Sequence, residues 1–462
     1  MSFASLSFIV FFLVVICVTK LIEKYSTRSV KELFLLAASY FFYGYWDWRF
    51  CFLLFFVTVV SYVCAKHVDD RRFFLTGIVS SLAVLGFFKY FNFFISSFAA
   101  VFGGNVSTLN IILPVGISFY TFQALSYLID VRRKKIECEK SFVSLALYIS
   151  FFPQLVAGPI VKAADFLPQL KEDRRITAGN IQYGIQVFVF GLFKKIVLAD
   201  HLSLFVDDVY SKPAAFNWVS LLLAAISYSL QIYFDFSGYS DMAIGCAKCF
   251  GYDFNRNFNL PFLSQNVTEL WKRWHISLST WLKEYLYIPL GGNRKGKPRQ
   301  YINLLLTMLL GGLWHGANWT FVVWGALNGI ALCFDKAFQK YYRLKNWKLF
   351  NVTCTFLFFT FTFIFFRSSS FSVAWKVIKG IFTLQDGIFQ PFLWSFISLI
   401  LLTVCSAIAM RRSRKKGENF VNGFYPQLNL DTIPGLTVFF VEIGLILGFA
   451  FTGENPFVYF QF

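Results

Sequence analysis

Only four histidines occur in the 462 residues, at positions 67, 201, 275 and 315, and their settings differ sharply. His315 lies in Leu309-Leu310-Gly311-Gly312-Leu313-Trp314-His315-Gly316-Ala317-Asn318-Trp319, with apolar sequence on both sides. An unpaired charge on a ring buried there is costly, so the imidazole is expected to be neutral and available as a base. Transfer of an acyl group to a hydroxyl needs such a base. Gly311, Gly312 and Gly316 remove bulk around the ring, which permits close approach of a substrate or of another helix. Asn318, three residues on, is expected to share the helical face of His315, and with the Trp314 indole it is a candidate donor to a developing oxyanion. A satisfied core histidine is the competing reading.

His275 lies in Trp271-Lys272-Arg273-Trp274-His275-Ile276-Ser277-Leu278-Ser279-Thr280-Trp281. The near-helical spacing of Trp271, Trp274 and Trp281 predicts one amphipathic helix with an aromatic stripe and a basic face, which read alone is an interfacial anchor. The Gly-containing loop that follows carries Arg294, Lys295, Lys297 and Arg299. Arg294, Lys295 and Lys297 could neutralise the phosphates of a cytoplasmic donor, and topological anchoring is the alternative. His67 stands among Asp69, Asp70, Arg71 and Arg72 and reads as solvated surface; His201 follows Lys194, Lys195 and Asp200 and reads as helix-terminal or interfacial.

The elements that position these residues must lie in a membrane. Hydrophobic residues make up 57% of the chain and charged ones 15%, far below the quarter usual in soluble domains. Apolar runs suggest roughly ten to twelve spans, near 5–22, 32–46, 49–65, 73–102, 111–129, 141–161, 181–199, 217–235, 301–333, 347–366, 392–410 and 434–452. The first run has no basic leader and no cleavage site and reads as a retained span. The net charge of +18 falls in short clusters between these runs, so it reads as positive-inside anchoring and not as a nucleic-acid surface. The spacing of Lys20, Lys24, Arg28 and Lys31 from Lys66, Arg71 and Arg72, and of the Lys340–Lys348 cluster from residues 411–416, places both chain ends outside. Between Gly238 and Gly292 apolar residues mix with Asp241, Arg256, Lys272, Arg273, His275, Lys283 and Glu284, after Asp235 just upstream. Polar groups at membrane depth need protein or a wet cavity around them, so a funnel or re-entrant region is expected here. Most of the nine cysteines sit in apolar runs, and the lone Cys246-x-x-Cys249 has no second pair, so neither a disulfide framework nor a metal set is implied.

The segments Trp274-His275-Ile276-Ser277-Leu278-Ser279, Tyr287-Ile288-Pro289-Leu290-Gly291-Gly292-Asn293-Arg294 and Gly312-Leu313-Trp314-His315-Gly316-Ala317 together resemble the bacterial alginate O-acetyltransferase branch of the MBOAT (membrane-bound O-acyltransferase) superfamily. The likeness continues in residues 113–123, in 151–160, in Asp235-Phe236-Ser237-Gly238-Tyr239-Ser240-Asp241 and in the ending 456–462. The resemblance implies an all-α polytopic fold, with transmembrane helices and re-entrant or interfacial helices around a central tunnel. It implies one membrane domain over 1–462, with N-terminal helices in 1–105, the catalytic core in 106–335 and C-terminal helices in 336–462. It puts the catalytic histidine at His315 and a second characteristic histidine at His275. It further implies a cytoplasmic thioester donor, acetyl-CoA, as co-substrate with no bound cofactor, a polysaccharide acceptor, an extracytoplasmic serine hydrolase-like partner, and a place in the bacterial cytoplasmic membrane. The sequence departs from the family pattern at Lys283-Glu284, at Arg132-Arg133-Lys134 and at Asn328, where a histidine is frequent.

Two other classes compete. A flippase or exporter of a lipid-linked sugar would use the polar centre as a pathway that the histidines merely line. A structural anchor for a secreted acetylation complex would need neither histidine. Within the acyltransferase reading the acceptor could equally be peptidoglycan or another envelope polymer.

Overall fold

The computed structural model describes residues 1–104, 107–156, 158–172, 174–338, 347–416, 425, 428–451, 453 and 457. Its regular elements are helices, joined by a single isolated β-bridge between Phe216 and Ile388 among the described residues. Among the described residues seven helices are long and apolar enough to cross a membrane: Leu6–Tyr25, Arg49–Lys66, Arg71–Phe102, Trp218–Cys249, Trp319–Phe338, Lys348–Arg367 and Leu393–Lys415. The chain is therefore a multi-pass integral membrane protein. The expected ending 456–462, apart from Phe457, and most of the Lys340–Lys348 cluster lie outside the described residues.

Several expected spans take another form. Residues 141–161 do not form one crossing: the helix Phe142–Ser150 stops ahead of Pro153 and a single turn, Phe152–Leu155, follows. The stretch around Lys89 stays within one helix, Arg71–Phe102, with a π-turn at Gly86–Tyr90 absorbing the irregularity. Trp218–Cys249 is continuous for 32 residues, so the irregular stretch expected after Gly238 begins only after Cys249. Asp235 is buried within that helix because the Lys195 ammonium lies 2.7 Å from it and 2.7 Å from Asp200, and a buried carboxylate needs such a partner.

The molecule divides into two compact units, Met1–Phe188 with Tyr239–Asn255, and Val189–Gly238 with Arg256–Phe462. In the first, the helix Ile117–Arg132 is buried along nearly its whole length. Gly116, at φ +75°, starts it and packs its α-carbon against the Leu155 carbonyl, where a side chain has no room. Phe8, Phe11, Phe42 and Phe152 interlock beside it with ring centroids 5.3–6.3 Å apart.

In the second unit, the helices Gly296–His315 and Trp319–Phe338 form a tight hairpin. A Cβ on Gly312 would strike the Phe321 carbonyl, and one on Gly325 would strike the Met308 carbonyl, so glycine on both sides lets the backbones touch. Where lipid supplies little hydrophobic drive between helices, such close backbone packing is what holds a pair together. Lys348–Arg367 lies against the hairpin and contributes Phe359, Phe363 and Phe366 to its aromatic core.

Candidate active site

The predicted amphipathic helix around His275 is broken in two. Val267–Arg273 ends before Trp274, and Ile276–Leu282 starts after His275, whose backbone is left-handed at φ +43°, ψ +56°. Trp271, Trp274 and Trp281 are all buried, so the tryptophan stripe belongs to the core and not to the lipid interface. The break is stabilised by the residues 257–259, which run beside it: Ile276 N donates to the Asn257 carbonyl (2.8 Å), and Asn259 N donates to the Arg273 carbonyl (2.8 Å). Arg273 is held by Glu269 at 2.8 Å and also donates to the Asn259 carbonyl. A bulky residue in the left-handed region is strained, and such strain persists only where its surroundings enforce it.

The His275 ring is fully buried. Its Nδ1 lies 3.1 Å from Asn257 Oδ1, an oxygen that also accepts from Ser277 N (3.2 Å) and Ser277 Oγ (2.9 Å). Phe236 meets the ring edge-on at 4.6 Å. His275 lies outside the spanning helices, and desolvation by burial holds its imidazole down to about 3, so the ring is neutral at physiological pH.

His315 is the last residue of its helix, 4% exposed, and the turn through Gly316 leads directly into the next helix. Aromatic rings enclose it: Trp314 at 5.0 Å, Trp324 at 5.1 Å and Phe366 at 5.3 Å between centroids, each near perpendicular. His275 is 6.4 Å away and lies 6.1 Å from Trp314, so the two histidines and Trp314 form one cluster. Gly316 is required here because a Cβ would run into the Phe321 ring. Trp324 is almost wholly buried, and its indole N–H has no acceptor among the described residues.

Asn318 does not share the face of His315, because the helix ends before it. Its Oδ1 accepts from Thr320 N at 3.0 Å, capping the following helix, and its Nδ2 donates to the Ser369 carbonyl at 3.2 Å. Its amide thus serves the turn that holds His315 in place.

The same unit holds a cavity of about 610 Å³. Lys272, Lys283, Arg294 and Lys336 line it, together with Trp271, Ile276, Thr307 and Met308. Four cations around one hollow form a site for an anionic group. Met308 stands two turns before His315 on the same helix, which puts that wall about 10 Å from the histidine along the axis. Trp271 lines the cavity and meets Trp324 at 5.7 Å, and Trp324 meets His315, so aromatic rings form the wall between cavity and base.

Of the three loop cations expected at a donor, Arg294 lines the cavity, whereas Lys295 and Lys297 are exposed and do not. Gly291 and Gly292, both at positive φ, shape the loop, and Asn303 Nδ2 anchors it on the Gly292 carbonyl at 2.9 Å. In the sequence Lys272 reads as part of a basic helical face and Lys283 as a departure from the family pattern, neither of them at a donor, and Lys336, Trp324, Phe366 and Asn257 carry no signal there. Each arrives from an element far along the chain or from an irregular stretch.

Comparison with known proteins agrees with this architecture. The profile of MBOAT, the membrane-bound O-acyltransferase family, matches residues 35–375. The chain is 39% identical over 385 residues to a peptidoglycan O-acetyltransferase of Helicobacter pylori, covering 76% of this chain and 73% of that protein. It is 41% identical over 376 residues to a probable alginate O-acetylase, AlgI, of Azotobacter vinelandii, covering 78% and 74%. A teichoic acid D-alanyltransferase of Bacillus subtilis is 27% identical over 268 residues, 55% of this chain and 67% of that protein.

Proposed function

The chain belongs to the membrane-bound O-acyltransferase family and is an O-acyltransferase, and from that premise we propose that it O-acetylates a cell-envelope polysaccharide, drawing acetyl from a cytoplasmic thioester donor with His315 as general base. The observation that carries this reading is the placement of His315, a buried imidazole enclosed by aromatic rings about two helical turns from a cation-lined cavity.

Acetyl-CoA is the donor chemistry that suits the cavity. Its phosphates would lie against Lys272, Lys283, Arg294 and Lys336, and its thioester would reach along the Trp271–Trp324 wall toward His315. The acceptor hydroxyl enters from the opposite side. As its oxygen attacks the thioester carbon, its proton passes to His315; collapse of the tetrahedral intermediate breaks the C–S bond, and the imidazolium returns the proton to the departing sulfur. The indole N–H groups of Trp324 and Trp314 are the donors offered to the oxyanion, while Asn318, its amide engaged by Thr320 and Ser369, holds the turn. Holding two substrates in register removes a large part of the remaining barrier.

The relatives act on different envelope polymers: one is named for peptidoglycan and another for alginate, at similar identity. A shared first step would serve both, in which this chain delivers the acetyl group across the bacterial cytoplasmic membrane to an extracytoplasmic serine hydrolase-like partner that completes transfer to the polymer. The test is release of label from radiolabelled acetyl-CoA by the purified chain in lipid, wild type against His315→Ala, with and without a candidate partner. Turnover lost only in the variant supports the reading. Equal turnover in both removes His315 from the mechanism, and transport of an intact lipid-linked sugar without acetyl release would favour a flippase.

A further inference from the structure

We propose that Asn257 is a positioning residue of this site: its side-chain carbonyl keeps the proton of His275 on Nδ1 and so makes Nε2, on the far side of the ring, a hydrogen-bond acceptor beside His315. The inference rests on the acyl-transfer reading of the cluster and adds to it the protonation state of the second histidine.

The argument begins with the identity of one atom. Asn257 Oδ1 receives the backbone N–H of Ser277, which is a donor only, so the atom facing the turn is the amide oxygen and not its nitrogen. A carbonyl oxygen cannot donate. The Ser277 hydroxyl, 3.5 Å from Nδ1, donates instead to Asn257 Oδ1 at 2.9 Å, so the Nδ1 that faces this oxygen at 3.1 Å carries hydrogen, and in the neutral ring that leaves the lone pair on Nε2. Burial keeps the ring neutral. The same asparagine holds the break open from its backbone, since its carbonyl accepts from Ile276 N at 2.8 Å. One residue thus enforces both the left-handed conformation at His275 and the hydrogen placement on its ring.

The consequence is a division of labour. A neutral histidine with its hydrogen on Nδ1 does not donate from Nε2 to an oxyanion; it accepts there. Ring centroids 6.4 Å apart leave space for one bridging oxygen between His275 and His315. An acceptor placed there favours the imidazolium that His315 becomes when it takes the hydroxyl proton, the service a carboxylate gives the histidine of a serine protease. Charged and titratable groups on the surrounding elements are His315 itself, Arg273 held by Glu269, Arg256 over the Tyr425 ring and Asp235 on Lys195.

The experiment is nitrogen-15 NMR of histidine-labelled protein in lipid nanodiscs, with His67→Gln and His201→Gln simplifying the spectrum, alongside kinetics of two variants. Wild type is expected to show His275 as the Nδ1–H tautomer. In Asn257→Leu the signal should move toward Nε2–H, with kcat falling ~10- to 100-fold and donor KM changing less than about twofold. Asn257→Asp is nearly isosteric and keeps an acceptor at Nδ1, but its negative charge stabilises the protonated ring. It should restore the tautomer and recover kcat at alkaline pH, while activity falls as pH drops through the raised His275 pKa, at a higher pH than any acid limb of wild type. An Nε2–H tautomer in wild type, an unmoved tautomer in Asn257→Leu, or an Asn257→Asp enzyme with the wild-type pH profile would each overturn the proposal. The NMR result does not depend on turnover, so an active His315→Ala enzyme would sink the proposed base and leave the tautomer assignment standing.

Discussion

His315 closes a 20-residue helix that continues through a short glycine turn into a partner of equal length, whereas His275 sits at a break between two seven-residue helices. The first region is held by backbone contact, Gly312 and Gly325 letting two helices touch, and aromatic rings crowd around its imidazole. The second is held by hydrogen bonds, with Asn257, Ser277, Arg273 and Glu269 stabilising a turn whose left-handed residue costs about 1–2 kcal/mol. The difference teaches how one cluster obtains two unlike histidines. Apolar packing encloses one imidazole in aromatic rings, and a polar turn holds the other against Asn257.

The comparison makes unequal predictions for the two regions. His315→Ala should lower acetyl release about a thousandfold with donor KM nearly unchanged, measured in steady state, because a base acts in the transition state and not in binding. Next comes the hairpin itself: Gly325→Ala would push a methyl group into the Met308 carbonyl and should cost about 1–3 kcal/mol, read as a lower unfolding midpoint in detergent. The double variant Arg294→Ala/Lys336→Ala should raise the KM for acetyl-CoA about tenfold, leave kcat alone and flatten the dependence of KM on salt, since both cations line the cavity. Lys297→Ala, outside the cavity, should change KM less than about twofold. An equal effect of Lys297 and Arg294 would mean that the donor docks on the loop surface and not in the cavity.

Much of the hairpin region was legible in the sequence because its cause is local. Gly311-Gly312 and Trp314-His315-Gly316 announce close packing around a histidine, and the structure places Gly312 and Gly316 where any side chain would collide. The region of His275 was legible only as chemistry. Tryptophan spacing favoured one continuous helix, but burial of all three rings and hydrogen bonds from residues 257–259 overrode local periodicity. Asn318 shows the same limit, since a helix boundary at His315 moved it from the histidine's face to a cap. The cation-lined cavity was half visible: Arg294 stood in a basic loop, while Lys336 came from the far end of another helix.

By itself the sequence determined that this protein lives in the bilayer and that its motifs, those around His315 and His275 among them, are those of a membrane O-acyltransferase. These follow from composition and short motifs, which act within a turn or two of chain. Tertiary structure alone decided that the two rings stand 6.4 Å apart, that Lys272, Lys283, Arg294 and Lys336 share one cavity, and that Asn257 Oδ1 lies 3.1 Å from Nδ1 of His275. Those relations join residues 11 to 64 positions apart, and only the packing of whole helices brings such side chains within reach.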